Sequence, residues 1–264
     1  MRPVMLFSAL LLAFFGFSGS ARAQAEEQAL VDRATLTLQE MMGPADNTGD
    51  ARAMLRNAKA VLICPRIFRA GFIVGGEFGD CVLSARDGGG SWSSPAFYRL
   101  VGGSVGFQAG LQDAQVISLI MTQKGLNAIL DSQFKFGAEA GLAFATLGRS
   151  IQGATTAAVG ADIVTIGRSR GLFAGITLDG ALLSANSDKM RAYFGREVAA
   201  RQVVVAMEAH NPGSDPLRGA LMRLGAPGSG GGNSAAPAPS GGTSSGSAAT
   251  GRVQTESLPP ANRR

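Results

Sequence analysis

Histidine is almost missing from this chain: among 264 residues there is one, His210. A Ser-His-Asp or Cys-His relay needs an imidazole in a packed cleft, and His210 precedes Asn211-Pro212 at the edge of the expected domain. Cysteine is nearly as scarce, with only Cys64 and Cys81 and no CxxC pair. Neither a Cys/His zinc cluster nor a dithiol redox centre can be built from them. No acidic loop carries calcium spacing. The glycine-rich "GGEFG" lacks the Lys-Ser/Thr of a P-loop and the strand-to-helix setting of a dinucleotide fingerprint. Glu77 and Asp80 beside it read as solvated strand ends, not as an acid/base pair. The expectation is a protein without catalysis and without a cofactor.

Excess charge is missing where a nucleic-acid domain would carry it. The chain has a net charge of +5 and a pI near 9.8, but Arg2 and Arg22 supply +2, and residues from Asn211 onward supply +3. Residues 24–210 sum to zero. Without a basic footprint on the folded part, no nucleic-acid partner is expected.

Long apolar runs are missing too, with one exception. Val4 to Phe17 is apolar apart from Ser8 and Gly16, follows Arg2, and precedes Ala21-Arg22-Ala23. That is the layout of a secretory signal peptide cut after Ala23. The run is shorter than the roughly 20 apolar residues of a spanning helix. No cysteine stands at the cut, which excludes a lipid anchor there. The reading is a periplasmic or secreted protein in three parts: signal 1–23, domain 24–210, tail 211–264. From Ala226 to Thr250 every residue is Ala, Pro, Gly, Ser, Thr or Asn, a composition with nothing to bury against the entropy of ordering it.

Within the domain, Leu30, Ala34, Leu38 and Met41 recur at helical spacing over Ala25 to Met42, and Gly43-Pro44 ends the pattern. A short helix follows Asp50, through Met54 and Leu55. "AVLIC" reads as a strand ended by Pro65, with a turn to Gly71 and a new strand from Phe72. "SVGFQAGLQ" alternates as a strand, Gln112-Asp113 as the turn after it, and "QVISLIM" as the next strand. Lys124 to Leu130 reads as helix, and Phe134 to Phe144 alternates again. "ADIVTIGRSRGLFAGITLDGALL" has the look of a hairpin with its turn between Gly167 and Gly171. Asn186 is an N-cap for a helix ending at Gly195. Many of the 37 glycines fall inside strands, where they mark bulges and tight corners. The fold class is α+β: six or seven mostly meandering strands in a strongly curved, glycine-rich, mainly antiparallel sheet or partly closed barrel, with helices at both ends.

Two sets of residues stand out. Cys64 and Cys81 are either a disulfide, as suits an exported protein, or two buried thiols. Spacing does not decide, because a bridge needs the Cα atoms within roughly 7 Å. Arg66 and Arg69 flank one expected turn, and Arg168 and Arg170 sit in the other. If the two turns meet, four guanidinium groups face a phosphate-bearing ligand; otherwise each pair is a solvated turn.

The segments "AKAVLICPRIFRAGFIVGGEFGD", "GSWSSPAFYRLVGGSVGFQAGLQ" and "GLFAGITLDGALL" followed by "MRAYFG" resemble, in that order, the SYLF family of lipid-binding, Ysc84-type actin-binding domains. The resemblance runs from about Asp50 to Val205. It implies a non-enzymatic domain that binds membrane phospholipids, phosphoinositides in eukaryotic members, with an N-terminal amphipathic helix contributing. Some fungal members also bind actin. An exported protein would meet neither actin nor phosphoinositides, so the implied partner here is an anionic phospholipid or membrane surface. The helix Ala25 to Met42 departs from the pattern, with Glu26, Glu27, Asp32 and Glu40 against Arg33 alone. Interfacial helices that seek anionic lipid are rich in Lys and Arg, so its stripe either inserts or packs on the sheet. The alternative function is a structural or interaction protein of the cell envelope with no lipid ligand.

Overall fold

Leu30, Val31, Ala34, Leu38, Met41 and Met42 are buried on one side of helix α1 (Ser18–Met42), and Arg33, Leu36 and Glu40 are exposed on the other. The computed structural model describes residues 18–43, 49–72, 74–105, 110–131, 133–137, 141–146, 160–171, 178 and 180–226. The apolar stripe of α1 is spent on the core: the helix packs across β1 (Ala60–Gly71) and β2 (Val74–Ala85) and against two later helices. The expected cut after Ala23 falls within α1, and most of the stretch read as a signal, residues 1–17, lies outside the described residues.

Helix α2 (Gly49–Asn57) leads into β1, and β3 (Ala96–Val105), β4 (Gly110–Ile120), β5 (Gln133–Lys135), β6 (Leu142–Thr146), β7 (Ile163–Gly171) and β8 (Leu182–Ala185) complete one eight-stranded sheet. Its order is β5-β8-β3-β2-β1-β4-β7-β6, antiparallel except for β6 with β7. The fold is thus α+β, with a strongly curved half-barrel sheet. The centre departs from a meander, because β4 returns to β1 instead of following β3, which is the Greek-key order.

Three expected turns are strand. Pro65 does not end β1; the strand runs on to Gly71 through a bulge at which Cys64 and Pro65 share the place opposite Cys81. Proline has no N–H to give a ladder, and a bulge is where a sheet tolerates it. Gly79 makes the bulge possible, since a Cβ there would stand 2.7 Å from the Arg66 carbonyl oxygen. Gln112-Asp113 lies inside β4, and Gly167 to Gly171 inside β7, whose partner strands among the described residues are β4 and β6. The alternation read across "SVGFQAGLQ" covers the end of β3, the start of β4, and residues 106–109, outside the described residues.

Helices α3 (Gln123–Leu130) and α4 (Ser187–Phe194) carry legible caps: Thr122 accepts from the Gly125 N–H, and Asn186 from the Lys189 N–H. Gly195 closes α4 at φ 68°, a left-handed position that suits glycine. After the short α5 (Ala200–Val204), the chain continues past His210, where the sequence reading ends the domain. Asn211 caps a 3-10 turn, Pro212–Ser214, and α6 (Asp215–Leu224) packs Leu217, Ala220 and Leu221 against α1. The compact unit ends at Pro227. Its last helix was hidden by Pro212, Gly213 and Pro216, which read as linker but serve as helix-start residues. The low-complexity stretch to Thr250 lies outside the described residues.

Candidate functional site

Sheet register places one row of residues across five strands on a single face: Leu182, Val101, Phe78, Phe68 and Asp113. The four apolar members are 42, 50, 53 and 36 % exposed. Leu111 and Val74 lie farther along the same face, and Phe72 stands at the β1–β2 tip; all three are exposed as well. Soluble proteins scatter exposed apolar residues singly, and a grouped set marks an interaction surface.

The face is edged with charge. Arg66, two residues before Phe68, holds its guanidinium carbon 5.9 Å from that ring's centroid. It also donates to Asp113 through Nε at 2.8 Å and a terminal nitrogen at 3.2 Å, and this carboxylate raises its pKa further above the ordinary arginine value. Arg99 on β3 donates to Asp80 at 3.3 Å, and Lys189 of α4 approaches both Asp80 and the buried Glu27. Where α1 crosses the sheet, a groove of about 550 Å³ is lined by Leu30, Arg33, Pro65, Arg66, Phe68 and Phe78, with Gly79 and Asp80. A cleft of about 230 Å³ lies beside it, between Arg33, Arg66, Asp113, Gln115 and Arg168.

The four arginines singled out in the sequence do not share one place. Arg66 and Arg168 line the same cleft. Arg170 holds the register position opposite Asp113, and its side chain lies outside the described residues. Arg69 is three residues from Arg66 on a strand and so faces the other way, into a largely buried ion pair with Glu77. That corrects the reading of Glu77 as a solvated strand end. A Cβ at Gly102 would stand 2.6 Å from the Glu77 Cγ, so the pair occupies the space that glycine leaves. None of the four sits in a turn. Arg33 and Arg99 belong to the site and were passed over. The available signal for Arg33 was its position as the sole basic residue of Ala25 to Met42; nothing in sequence marks Arg99.

Cys64 and Cys81 are joined by a disulfide across the bulge, with Cα atoms 4.1 Å apart and both residues buried. It fastens β1 to β2 one residue before Pro65 and one after Asp80, directly beneath the groove.

His210 is half exposed, yet it has company. The Ser94 Oγ lies 3.2 Å from its Nδ1, and Asp215 lies 3.7 Å from its Nε2. Ser94 is buried, its oxygen also 3.0 Å from the Ser214 hydroxyl and accepting from the Asn211 N–H. The cluster pins the start of the last helix to the segment before β3. Among the described residues, no group of His, Cys, Asp or Glu is placed to hold a metal ion, and no helix is long and apolar enough to cross a membrane.

Comparison with known proteins bears on the whole arrangement. Residues 101–224 match the Ysc84 family, described as Las17-binding protein actin regulator. LAS seventeen-binding protein 3 of Saccharomyces cerevisiae is 27 % identical over 167 residues, 62 % of this chain and 36 % of that protein. SH3 domain-containing YSC84-like protein 1 of Xenopus laevis is 29 % identical over 132 residues, 50 % of this chain and 39 % of that protein. The matched region thus spans well under half the length of either relative. No solved structure matches.

Proposed function

The chain belongs to the Ysc84 (SYLF) family, and we propose that it is a non-enzymatic lipid-binding module that lays the exposed face of its sheet on an anionic membrane surface. One observation carries the reading: the register row Phe68, Phe78, Val101 and Leu182, exposed on one face, with Arg66 stacked beside it. Apolar side chains flanked by long cationic ones suit the headgroup boundary, where the ring enters the acyl region and the guanidinium stays among phosphates. Residues 24–210 are neutral, and the continuation through α6 adds Asp215, Arg218 and Arg223 for a net of only +1, so attraction to the membrane is local to this face and not a property of the whole domain. Helix α1 lends Arg33 to the site but inserts no apolar face, because its apolar stripe is in the core. With the export signal read in the sequence, the membrane is that of the cell envelope, seen from the periplasm or from outside.

The test is co-sedimentation of the full chain with vesicles of zwitterionic lipid alone and of zwitterionic lipid mixed with an anionic phospholipid. Association with the mixed vesicles, weakened by salt, is expected. A second reading is that the face docks a protein. The names of the relatives, which bind LAS seventeen or carry an SH3 domain, favour it. A chain that ignores every vesicle leaves that reading in possession of the surface.

A further inference from the structure

We propose that the exposed face of the sheet pairs with a second copy of the chain, the two sheets stacking about a two-fold axis that seats the apolar row of each against a strip of small residues on the other. The pairing goes beyond the membrane reading and does not depend on it. Where both hold, a membrane and a second copy compete for one surface.

The exposed apolar side chains of this face, from Leu182 across to Phe68 and on to Val74, Leu111 and the Phe72 tip, leave roughly 700 Å² uncovered per copy. The largest apolar patch of an ordinary monomer is about 300–600 Å², and each side of a standard interface contributes about 800 Å². This face exceeds the first and nearly meets the second. The charges beside it are matched within the chain, Arg66 by Asp113 and Arg99 by Asp80, so a second copy meets no bare charge at the row.

The shape of the face is complementary to itself. Two residues beyond Val101, Phe78 and Phe68, in register on β3, β2 and β1, stand Gly103, Gly76 and Ala70, on the same side of the sheet. A Cβ on Gly76 would lie 3.9 Å from its nearest neighbour, and one on Gly103 4.0 Å. Neither glycine has a positive φ. Gly79 and Gly102 are different, because a Cβ on either would collide within the chain. Glycine weakens a strand, and where the chain's own packing does not call for it, it marks the close approach of another backbone. Gly103, Gly76 and Ala70 thus form a valley beside the ridge of Val101, Phe78 and Phe68.

A two-fold axis parallel to the ridge, midway between ridge and valley, makes the contact isologous. Phe78 of each copy then lies over Gly76 of the other, Phe68 over Ala70, and Val101 over Gly103. The same operation carries the Phe72 ring of one copy to the place of Arg66 on the other, at the groove of about 550 Å³ lined by Leu30, Pro65, Phe68 and Phe78. The charged rows Arg66, Asp80 and Arg99 of the two copies fall six residues apart along the strands, roughly 20 Å, well beyond the screening length of about 8 Å. An axis along the strands would instead set ridge on ridge and cation on cation.

Sedimentation equilibrium of the full chain without lipid tests the pairing. Interfaces of standard area dissociate at micromolar concentrations or below, so the chain should be a dimer at about 100 µM. The variant G76V/G103V fills the valley and should be monomeric at that concentration, with the far-ultraviolet spectrum and cooperative melt of a folded chain. G76A/G103A adds only two Cβ atoms that have room, so it keeps the test open if the larger change impairs folding; it should weaken association about tenfold. A parent that is monomeric at that concentration overturns the pairing, and so does a folded glycine variant that dimerises as the parent does. Vesicle sedimentation is read separately. A monomeric parent that binds anionic vesicles overturns the pairing and leaves the membrane reading standing. A dimer that the valine change abolishes, and that ignores every vesicle, upholds the pairing and overturns the membrane reading.

Discussion

Glu77 and Gly102 face each other across β2 and β3, and the Glu77 side chain fills the space that a Cβ on Gly102 would need, ion-paired to Arg69 from the strand beyond. A charged pair is thereby buried on the side of the sheet opposite the exposed apolar row. The same three strands thus present an apolar surface outward and a polar one inward at their far ends, the reverse of the usual arrangement.

Gly102→Ala should cost about 1–3 kcal/mol, the range for overfilling a packed site. Glu77→Gln should cost about 3 kcal/mol by breaking a largely buried ion pair. Urea unfolding at neutral pH measures both. If the two changes are combined, the costs should not simply add, because Glu77 and Gly102 are in contact and the added methyl displaces the side chain whose ion pair the other change removes.

Replacing Cys64 and Cys81 together by Ala should lower stability by about 3 kcal/mol, from the loop closed by a 17-residue separation. Before reduction, the protein recovered from an oxidising compartment should offer no thiol to an alkylating reagent. Two alkylated cysteines in that material would contradict the bridge.

Asp162 gathers the Thr122 hydroxyl at 2.6 Å, the Gly141 N–H and the Lys124 ammonium, tying the start of α3 to the entries of β6 and β7. The Thr122 hydrogen bond, then the Gly141 N–H, then Lys124 hold its carboxyl below the usual aspartate range. The stabilisation is therefore complete above the unfolded-state pKa of about 4 and is lost as pH falls through the lower folded-state value. Asp162→Asn should be less stable than the parent at pH 7, and the gap should close as pH falls from the unfolded-state value through the lowered folded-state pKa. A gap independent of pH would show that the charge is not what matters.

Truncation after His210 should destabilise the domain by about 3–6 kcal/mol, since Leu217 and Leu221 are fully buried and each such side chain is worth about 1.5–3 kcal/mol. Truncation after Ala226 should leave the melting temperature where it is. Thermal unfolding of the two truncated chains decides where the domain ends.

Helices α1 to α4 were legible because their signals are local, whereas α5 and α6 were not read. The period of Leu30, Ala34, Leu38 and Met41 gives α1, and Asn186 with Gly195 bounds α4. The α+β class followed from the same patterns. Strand continuity was not legible: Pro65 looks like a terminator until a partner strand shows the bulge that accommodates it. Two arginines spaced like Arg168 and Arg170 between glycines look like a turn whether or not β4 is there to pair with them. The candidate site depended on register, a non-local quantity. Nothing in the sequence sets Phe68 beside Phe78, Val101 and Leu182, or turns Arg69 away from Arg66. Arg33 entered the site only once α1 was packed over the sheet.

The most direct measurement is the affinity of the full chain and its double variant F68S/F78S for anionic vesicles. Both rings are substantially exposed, so the variant should fold with nearly unchanged stability. Removing two half-exposed rings from a membrane contact forfeits about 1 kcal/mol each, so binding should fall about tenfold or more. A variant that melts like the parent and binds anionic vesicles as tightly as the parent would contradict the assignment of this face as the membrane seat.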